Sequence, residues 1–282
     1  MKHSRYAGLY PILHTPFDMR GEVDYDSFRR LVRYVESAGV QGMVFPGFVS
    51  EWWRLSDADI LQCAACIERP FIGVVTPQAT VPALQRLREF EKLGAVGLML
   101  LPPFVLAASP GTHLEALLSA TDLPCIIQDS AGLTGNKLDA TALAELAEAH
   151  PNLAGIKVDQ VPTGPAITRL RGRTMLRDLS FFAGYSGIQW FDAERRGATA
   201  LMGGCGHIPA DRQLFGNVDA YHRLLPLLNF EMQSLDSVIA VHKRLLFKAG
   251  VLATPNLRAP SADLDEDHLS ELELLTEKLK LS

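Results

Sequence analysis

The sequence predicts an α/β protein, a (β/α)8 TIM barrel with additional C-terminal helices. Three observations carry this expectation. Eight short apolar runs are each followed by a stretch of helical periodicity, at a spacing of roughly 25–30 residues, and strands alternating with helices pair in parallel. Eight such units suit a closed barrel better than an open sheet, and 282 residues accommodate one. No G-x-G-x-x-G follows the first run, which removes the main signature of a dinucleotide-binding sheet.

The first strand is read over 8–13 and ends in His14-Thr15-Pro16-Phe17. Phe28, Leu31, Val32 and Val35 recur at helical spacing, predicting a helix over 24–38 stopped by Gly39. A second strand, 42–45, runs into Pro46-Gly47-Phe48-Val49-Ser50-Glu51, and Ser56 caps a helix reaching 68. Strand three is 71–75, with helix 81–93 ending at Gly94. Strand four, 96–101, closes on Pro102-Pro103 before helix 112–120. Strand five is 123–128, with helix 140–149; strand six is 153–159, with a short helix over 167–171. Strand seven, 179–183, ends at Gly184-Tyr185-Ser186-Gly187 before helix 188–196. Strand eight, 199–202, ends at Gly203-Gly204-Cys205-Gly206. Only helical patterns follow, at about 209–226, 230–249 and 264–280. Leu269, Leu272, Leu275 and Leu279 line one face of the last, a face expected to pack on the barrel or on another subunit. The expected division is a barrel over 1–208 and a helical region over 209–282.

Composition narrows the function classes. Net charge is −5, which gives no electrostatic reason to expect nucleic acid or an anionic membrane as partner. No signal-peptide h-region and no apolar run of about 18 residues occurs, so a soluble cytoplasmic protein is expected. Cys63 and Cys66 form a C-x-x-C inside a helical pattern, with no second pair and no histidine at ligand spacing. With Cys125 and Cys205 they are read as reduced core residues, and no metal or cofactor is expected.

The chemistry centres on strand six, Leu153-Ala154-Gly155-Ile156-Lys157-Val158-Asp159. A buried strand normally excludes an ammonium, because desolvating a charge costs several kcal/mol. A lysine kept there is either paired, here with Asp129, Asp159 or Glu51, or used as a neutral amine that attacks a carbonyl. Barrel enzymes place their sites at the C-terminal strand ends. That rim carries His14 and Thr15, Gly47 to Glu51, Phe104, Gln128 to Ser130, Lys157 and Asp159, Tyr185 and Ser186, and Gly203 to Gly206. The glycines after strands seven and eight are either tight turns or a phosphate cradle.

Thr15-Pro16-Phe17, Gly47-x-x-Ser50-Glu51, Pro102-Pro103, the Gln128-Asp129 strand end, Gly155-Ile156-Lys157 and the Gly184 loop occur in order. This ordered set resembles the dihydrodipicolinate synthase / N-acetylneuraminate lyase family of Schiff-base barrels, over nearly the whole chain. The resemblance implies a homotetramer or homodimer in which Lys157 forms an imine with a small 2-keto acid. The departures are informative. Gly47-Phe48-Val49-Ser50-Glu51 lacks the family's two threonines, Gln128-Asp129 replaces a Tyr-Asn, Leu133 aligns with a substrate-binding arginine, and Phe104-Val105 with a tyrosine. The synthase proton relay is therefore missing. The Gln-Asp strand end with x-x-Ser-Glu is similar to the 2-keto-3-deoxy-L-arabonate dehydratase branch, which implies dehydration or aldol cleavage of a 2-keto-3-deoxy sugar acid. Synthase-like condensation, or a barrel that binds a keto acid without catalysis, are the alternatives. Lys157, Gln128 and Tyr185 are the catalytic candidates; Thr15, Val49, Ser50, Asp129 and Ser186 are the substrate-binding ones. For Ser50 and for Glu51 a purely structural role is the competing reading.

Overall fold

The computed structural model describes residues 6–104, 110–136, 138–176 and 178–280. Its elements are β1 (Gly8–Leu9), α1 (Tyr25–Ser37), β2 (Met43–Phe45), α2 (Asp57–Ala65), β3 (Phe71–Val75), α3 (Thr80–Lys92), β4 (Gly97–Leu100), α4 (Pro110–Leu118), β5 (Cys125–Asp129), α5 (Ala131–Thr134), α6 (Ala140–Ala149), β6 (Leu153–Val158), α7 (Thr163–Arg171), β7 (Ser180–Ala183), α8 (Trp190–Arg195), β8 (Ala200–Leu201), α9 (Ile208–Asp211), α10 (Val218–Glu231), α11 (Leu235–Lys248) and α12 (Glu266–Leu279). The alternation of eight strands with helices is that of a (β/α)8 barrel. The chain forms two compact units, one of residues 1–8 and 70–202 and one of residues 9–69 and 203–282.

The first unit is a parallel ladder from β3 to β8 in sequence order. Its strands are buried along their whole length, as expected when helices cover the outer face. One layer of the ladder is fixed by register: Gln128 pairs with Lys157, Lys157 with Phe182, and Phe182 with Ala200. Paired residues of parallel strands point to the same face, so these four side chains share one side of the sheet. Gly73 lets α3 close on β3, because a Cβ there would meet the Phe90 ring at 2.7 Å. At the edge, Thr199 Oγ1 donates to the Tyr6 carbonyl and the Gly8 amide to the Thr199 carbonyl.

The second unit pairs the extended run around Ile12 with Val44 on one side and Gly204 on the other. In α1, Phe28, Leu31, Val32 and Val35 are buried, Asp24 caps the first turn through the Ser27 and Asp26 amides, and Gly39 at φ +67° ends the helix. Ser56 and Asp59 form a capping box at α2. Helices α10 and α11 start at Asn217 and Ser234, each accepting a backbone amide three residues on. The expected helix over 209–226 is two pieces: α9 ends after one turn, Gly216 takes φ +64°, and Asn217 caps a new helix. The leucine face of α12 packs on α10, with Leu272 buried and Leu269, Leu275 and Leu279 half-buried.

Candidate functional site

In the 70–202 unit, Lys157 is 4% exposed and its Nζ lies 3.0 Å from Asp159 Oδ2. Asp159 stands two residues beyond the lysine on an extended backbone, and period-two alternation puts both on one face. Gln128 Nε2 donates to the same Oδ2 at 2.5 Å, while the Tyr185 amide donates to Oδ1 at 3.2 Å. Gly184 makes room for this carboxylate: a Cβ there would lie 1.5 Å from Asp159 Oδ1. With its Nε2 committed, Gln128 presents Oε1 as an acceptor, and among the described residues that buried oxygen has no hydrogen-bond partner. The Ser130 hydroxyl, also buried, has none either. Tyr185 and Ser186 are both held at φ 49°, a left-handed conformation costly for residues with a Cβ. Burial, then the Asp159 charge, raises the Tyr185 phenol above its ordinary value, keeping it a donor at neutral pH.

Asp129 lies on the opposite face of β5 from Gln128. Gln160 Nε2 donates to it, and it lines a surface groove of about 610 Å³ with Gln160, Arg169 and Arg173. The acid that meets Lys157 is therefore Asp159, which sequence reasoning named only as one of three pairing partners. The readable signal was its spacing, lysine and acid at i and i+2 in one strand.

In the other unit, the loop after β2 holds itself shut. Ser50 Oγ donates to the Leu13 carbonyl at 2.5 Å and accepts the Gly47 amide at 2.9 Å; Thr15 Oγ1 donates to the Ser50 carbonyl at 2.8 Å. Val49 is 9% exposed. Phe48, Trp52 and Trp53 pack ring against ring at 6.1–6.4 Å between centroids. Glu51, at φ 60°, is fully buried, bonded to Lys243 Nζ, to Arg54 Nη1 at 2.9 Å and to the Arg258 amide at 3.2 Å. Both its oxygens are used, which is what a structural role requires. Phe104 is exposed, and Val105 lies outside the described residues.

A buried imidazole chain begins at His14, whose Nε2 stands 3.0 Å from His242 Nδ1. His242 Nε2 reaches Glu231 at 3.2 Å, and His207 bridges Glu231 and Asp211. His207, Glu231 and His242 are close enough to share a cation. The hydrogen bonds instead call for protons. The Gly206 amide donates to His242 Nδ1 at 3.0 Å, so the ring proton sits on Nε2, the atom a metal would need bare. Burial alone would discharge His207, but the Asp211 and Glu231 carboxylates outweigh it and hold the ring charged well above the usual range. Burial, with His242 and Lys243 nearby, keeps His14 neutral. Gly204 and Gly206 belong to this chain: a Cβ on either would strike His242 at 2.4–2.5 Å. That packing explains the glycines after strand eight without a phosphate. All four cysteines are free and buried, and burial pushes the Cys125 and Cys205 thiols to about 12. Among the described residues no helix is long and apolar enough to cross a membrane.

A family model described as "Dihydrodipicolinate synthetase family" matches residues 5–279. A 4-hydroxy-tetrahydrodipicolinate synthase from Natronomonas pharaonis is 30% identical over 182 residues, covering 61% of this chain and 62% of that protein. The chain thus spans about three fifths of that curated relative. The L-2-keto-3-deoxyarabonate dehydratase of Azospirillum brasilense is 27% identical over 300 residues, 98% of this chain and 95% of the relative. Among solved structures, a dihydrodipicolinate synthase from Rhodopseudomonas palustris superposes with a TM-score of 0.86 at 24% identity, covering 97% of each chain.

Proposed function

The chain belongs to the dihydrodipicolinate synthetase family, and from that premise we propose that it is a lyase in which Lys157 joins the keto carbon of a 2-keto acid as an imine. The carrying observation is the layer Gln128–Lys157–Phe182, with a buried primary amine beside one acid and one uncommitted acceptor. An iminium at C2 acidifies the C3 protons, and the enamine formed by losing one of them expels a leaving group at C4. No metal or organic cofactor is needed for either step.

The substrate we assign is a 2-keto-3-deoxy sugar acid, and the reaction loss of water. Two things favour dehydration over condensation. Gln128 stands where the family's synthases carry a tyrosine, and an amide accepts a hydrogen bond but transfers no proton. The likeness to the arabonate dehydratase also runs through nearly the whole of both chains. Gln128 and Tyr185 act on the substrate's reacting end, with Ser186 beside them. In the other unit, Thr15 and Ser50 are assigned the closing of their own loop, beside Val49, which their hydrogen bonds serve. Asp129, bound by Gln160, is assigned the placing of the loop after β6. Assembly as a homotetramer or homodimer belongs to the same proposal and is read by sedimentation.

The test is reductive trapping. Borohydride added with pyruvate should leave a mass adduct on Lys157, absent in Lys157→Ala. A panel of 2-keto-3-deoxy sugar acids should then lose water rather than release pyruvate. If no short keto acid leaves an adduct, the non-catalytic alternative stands instead.

A further inference from the structure

We propose that Asp159 is the proton carrier of this site, and that Gln128 fixes it in that role. The inference rests on the imine reading above and assigns the acid–base work that reading leaves open. Asp159 is the acid whose carboxylate touches the reacting nitrogen, at 3.0 Å. It is 5% exposed and held from three directions. Gln128 Nε2 and Lys157 Nζ share Oδ2, and the Tyr185 amide binds Oδ1. Gly184 leaves no Cβ in the way. A carboxylate held this firmly needs no reorganisation when it takes or gives a proton at Nζ.

The steps balance with no further reactant. Lys157 passes one ammonium proton to Asp159 Oδ2, and the freed lone pair attacks C2 while the C=O π pair moves onto oxygen. Asp159 protonates that oxygen and takes a second proton from nitrogen. It returns this proton to the carbinolamine hydroxyl, the C2–O bond breaks, and water leaves with the bonding pair. The nitrogen lone pair closes the iminium, and Asp159 is again an anion. It then removes a C3 proton; the C–H pair becomes C2=C3 and the C=N π pair returns to nitrogen. When the enamine expels the C4 hydroxyl, the same proton goes to the leaving oxygen as water. Gln128 holds the carboxylate through Nε2, which turns its Oε1 outward as an acceptor for a substrate hydroxyl. The recognised ligand is thus a keto acid that carries a hydroxyl donor near the keto carbon.

The experiment follows methyl-proton exchange of pyruvate in D2O by NMR, next to borohydride trapping, in wild type, Asp159→Asn and Asp159→Glu. The Asn variant should still give the Lys157 adduct on long incubation at alkaline pH, where free amine forms without help. Its exchange rate should fall about 10²- to 10⁴-fold, the range for a positioned acid–base group. The Glu variant should recover part of the rate with a shifted pH profile, which a merely structural carboxylate would not produce. Exchange in Asp159→Asn within about threefold of wild type overturns the inference while leaving the imine intact. Wild type with neither adduct nor exchange overturns the imine reading, and this inference with it. Should the Asn variant not fold, Asp159→Glu decides by the same two readings: exchange at the wild-type rate and wild-type pH profile counts against, slowed exchange with a full adduct counts for.

Discussion

Among the described residues two lysines are buried, each beside a carboxylate, and they are opposites. Lys243 is fully enclosed: Glu51 pairs with it, the Asn256 carbonyl accepts from it at 2.9 Å, and the Phe17 ring lies 4.3 Å away. Its partner Glu51 is also bound by Arg54 and the Arg258 amide. Even so, burial brings this lysine down to about 8, the Glu51 charge offsetting only part of the cost. Among the described residues Lys157 has one ion partner, and neither Oε1 of Gln128, its neighbour one strand over, nor the buried Ser130 hydroxyl has a hydrogen-bond partner. A buried lysine that bonds both a carboxylate and a carbonyl is a fastening; one with a single ion partner, next to an open acceptor, is prepared for a ligand. Burial of a lysine therefore does not by itself mark a nucleophile. The bonds left open at it do.

The comparison is broken or sharpened by substitution. Lys157→Ala should remove the pyruvate adduct and depress turnover by as much as ~10⁶-fold, the scale seen when a covalent nucleophile is deleted. An adduct that mapped to Lys243 instead would reverse the distinction. Lys243→Ala should leave the Lys157 adduct in place but cost about 3 kcal/mol in urea denaturation. That is the low end for breaking a buried pair, because Glu51 keeps Arg54 and the Arg258 amide. His207→Asn should cost about 3 kcal/mol at pH 6 for a similar reason. His207 is held charged to a higher pH in the fold than in the unfolded chain. Its stabilisation is complete below the unfolded value near 6.5 and is lost as pH rises through the folded value. The gap between wild type and variant should therefore narrow from pH 6 to pH 9, read as denaturation midpoints. Gly184→Ala pushes a methyl into Asp159 and should cost about 1–3 kcal/mol and slow imine formation. Ser50→Ala is the mildest, about 1 kcal/mol for the loop hydrogen bonds it loses, measured by thermal denaturation.

The fold was legible because its signal is periodic. Apolar runs such as Phe71–Val75 and the Phe28, Leu31, Val32, Val35 stripe state their own secondary structure, and Gly39 and Ser56 punctuate them. The break at Gly216-Asn217 was written in the sequence too, as a glycine followed by a capping residue, but apolar spacing on either side masks it. Lys157 and Gln128 were readable as neighbours from their place near the ends of consecutive strands, and the register pairs them. Asp159 required one more step, the alternation that sends Asp129 and Gln128 to opposite faces. The imidazole chain was not readable at all. His14, His207, Glu231 and His242 are scattered along the sequence, and only tertiary packing brings their rings to 4.5–5.0 Å. The same packing gives Gly204 and Gly206 their reason, which a glycine-rich stretch alone cannot declare.

The bond from Lys243 on α11 to Glu51 in the loop after β2 has a consequence for anyone wishing to trim the protein. The helices that follow the last strand look like a removable appendage, and a designer seeking a minimal scaffold would cut near residue 208. Such a cut would strip Glu51 of its lysine, its Arg258 amide and the Asp236 anchor of Arg54 together. The loop would be left with a buried anion held by Arg54 alone, itself cut loose from Asp236, so the tail has to travel with the scaffold in any engineered version.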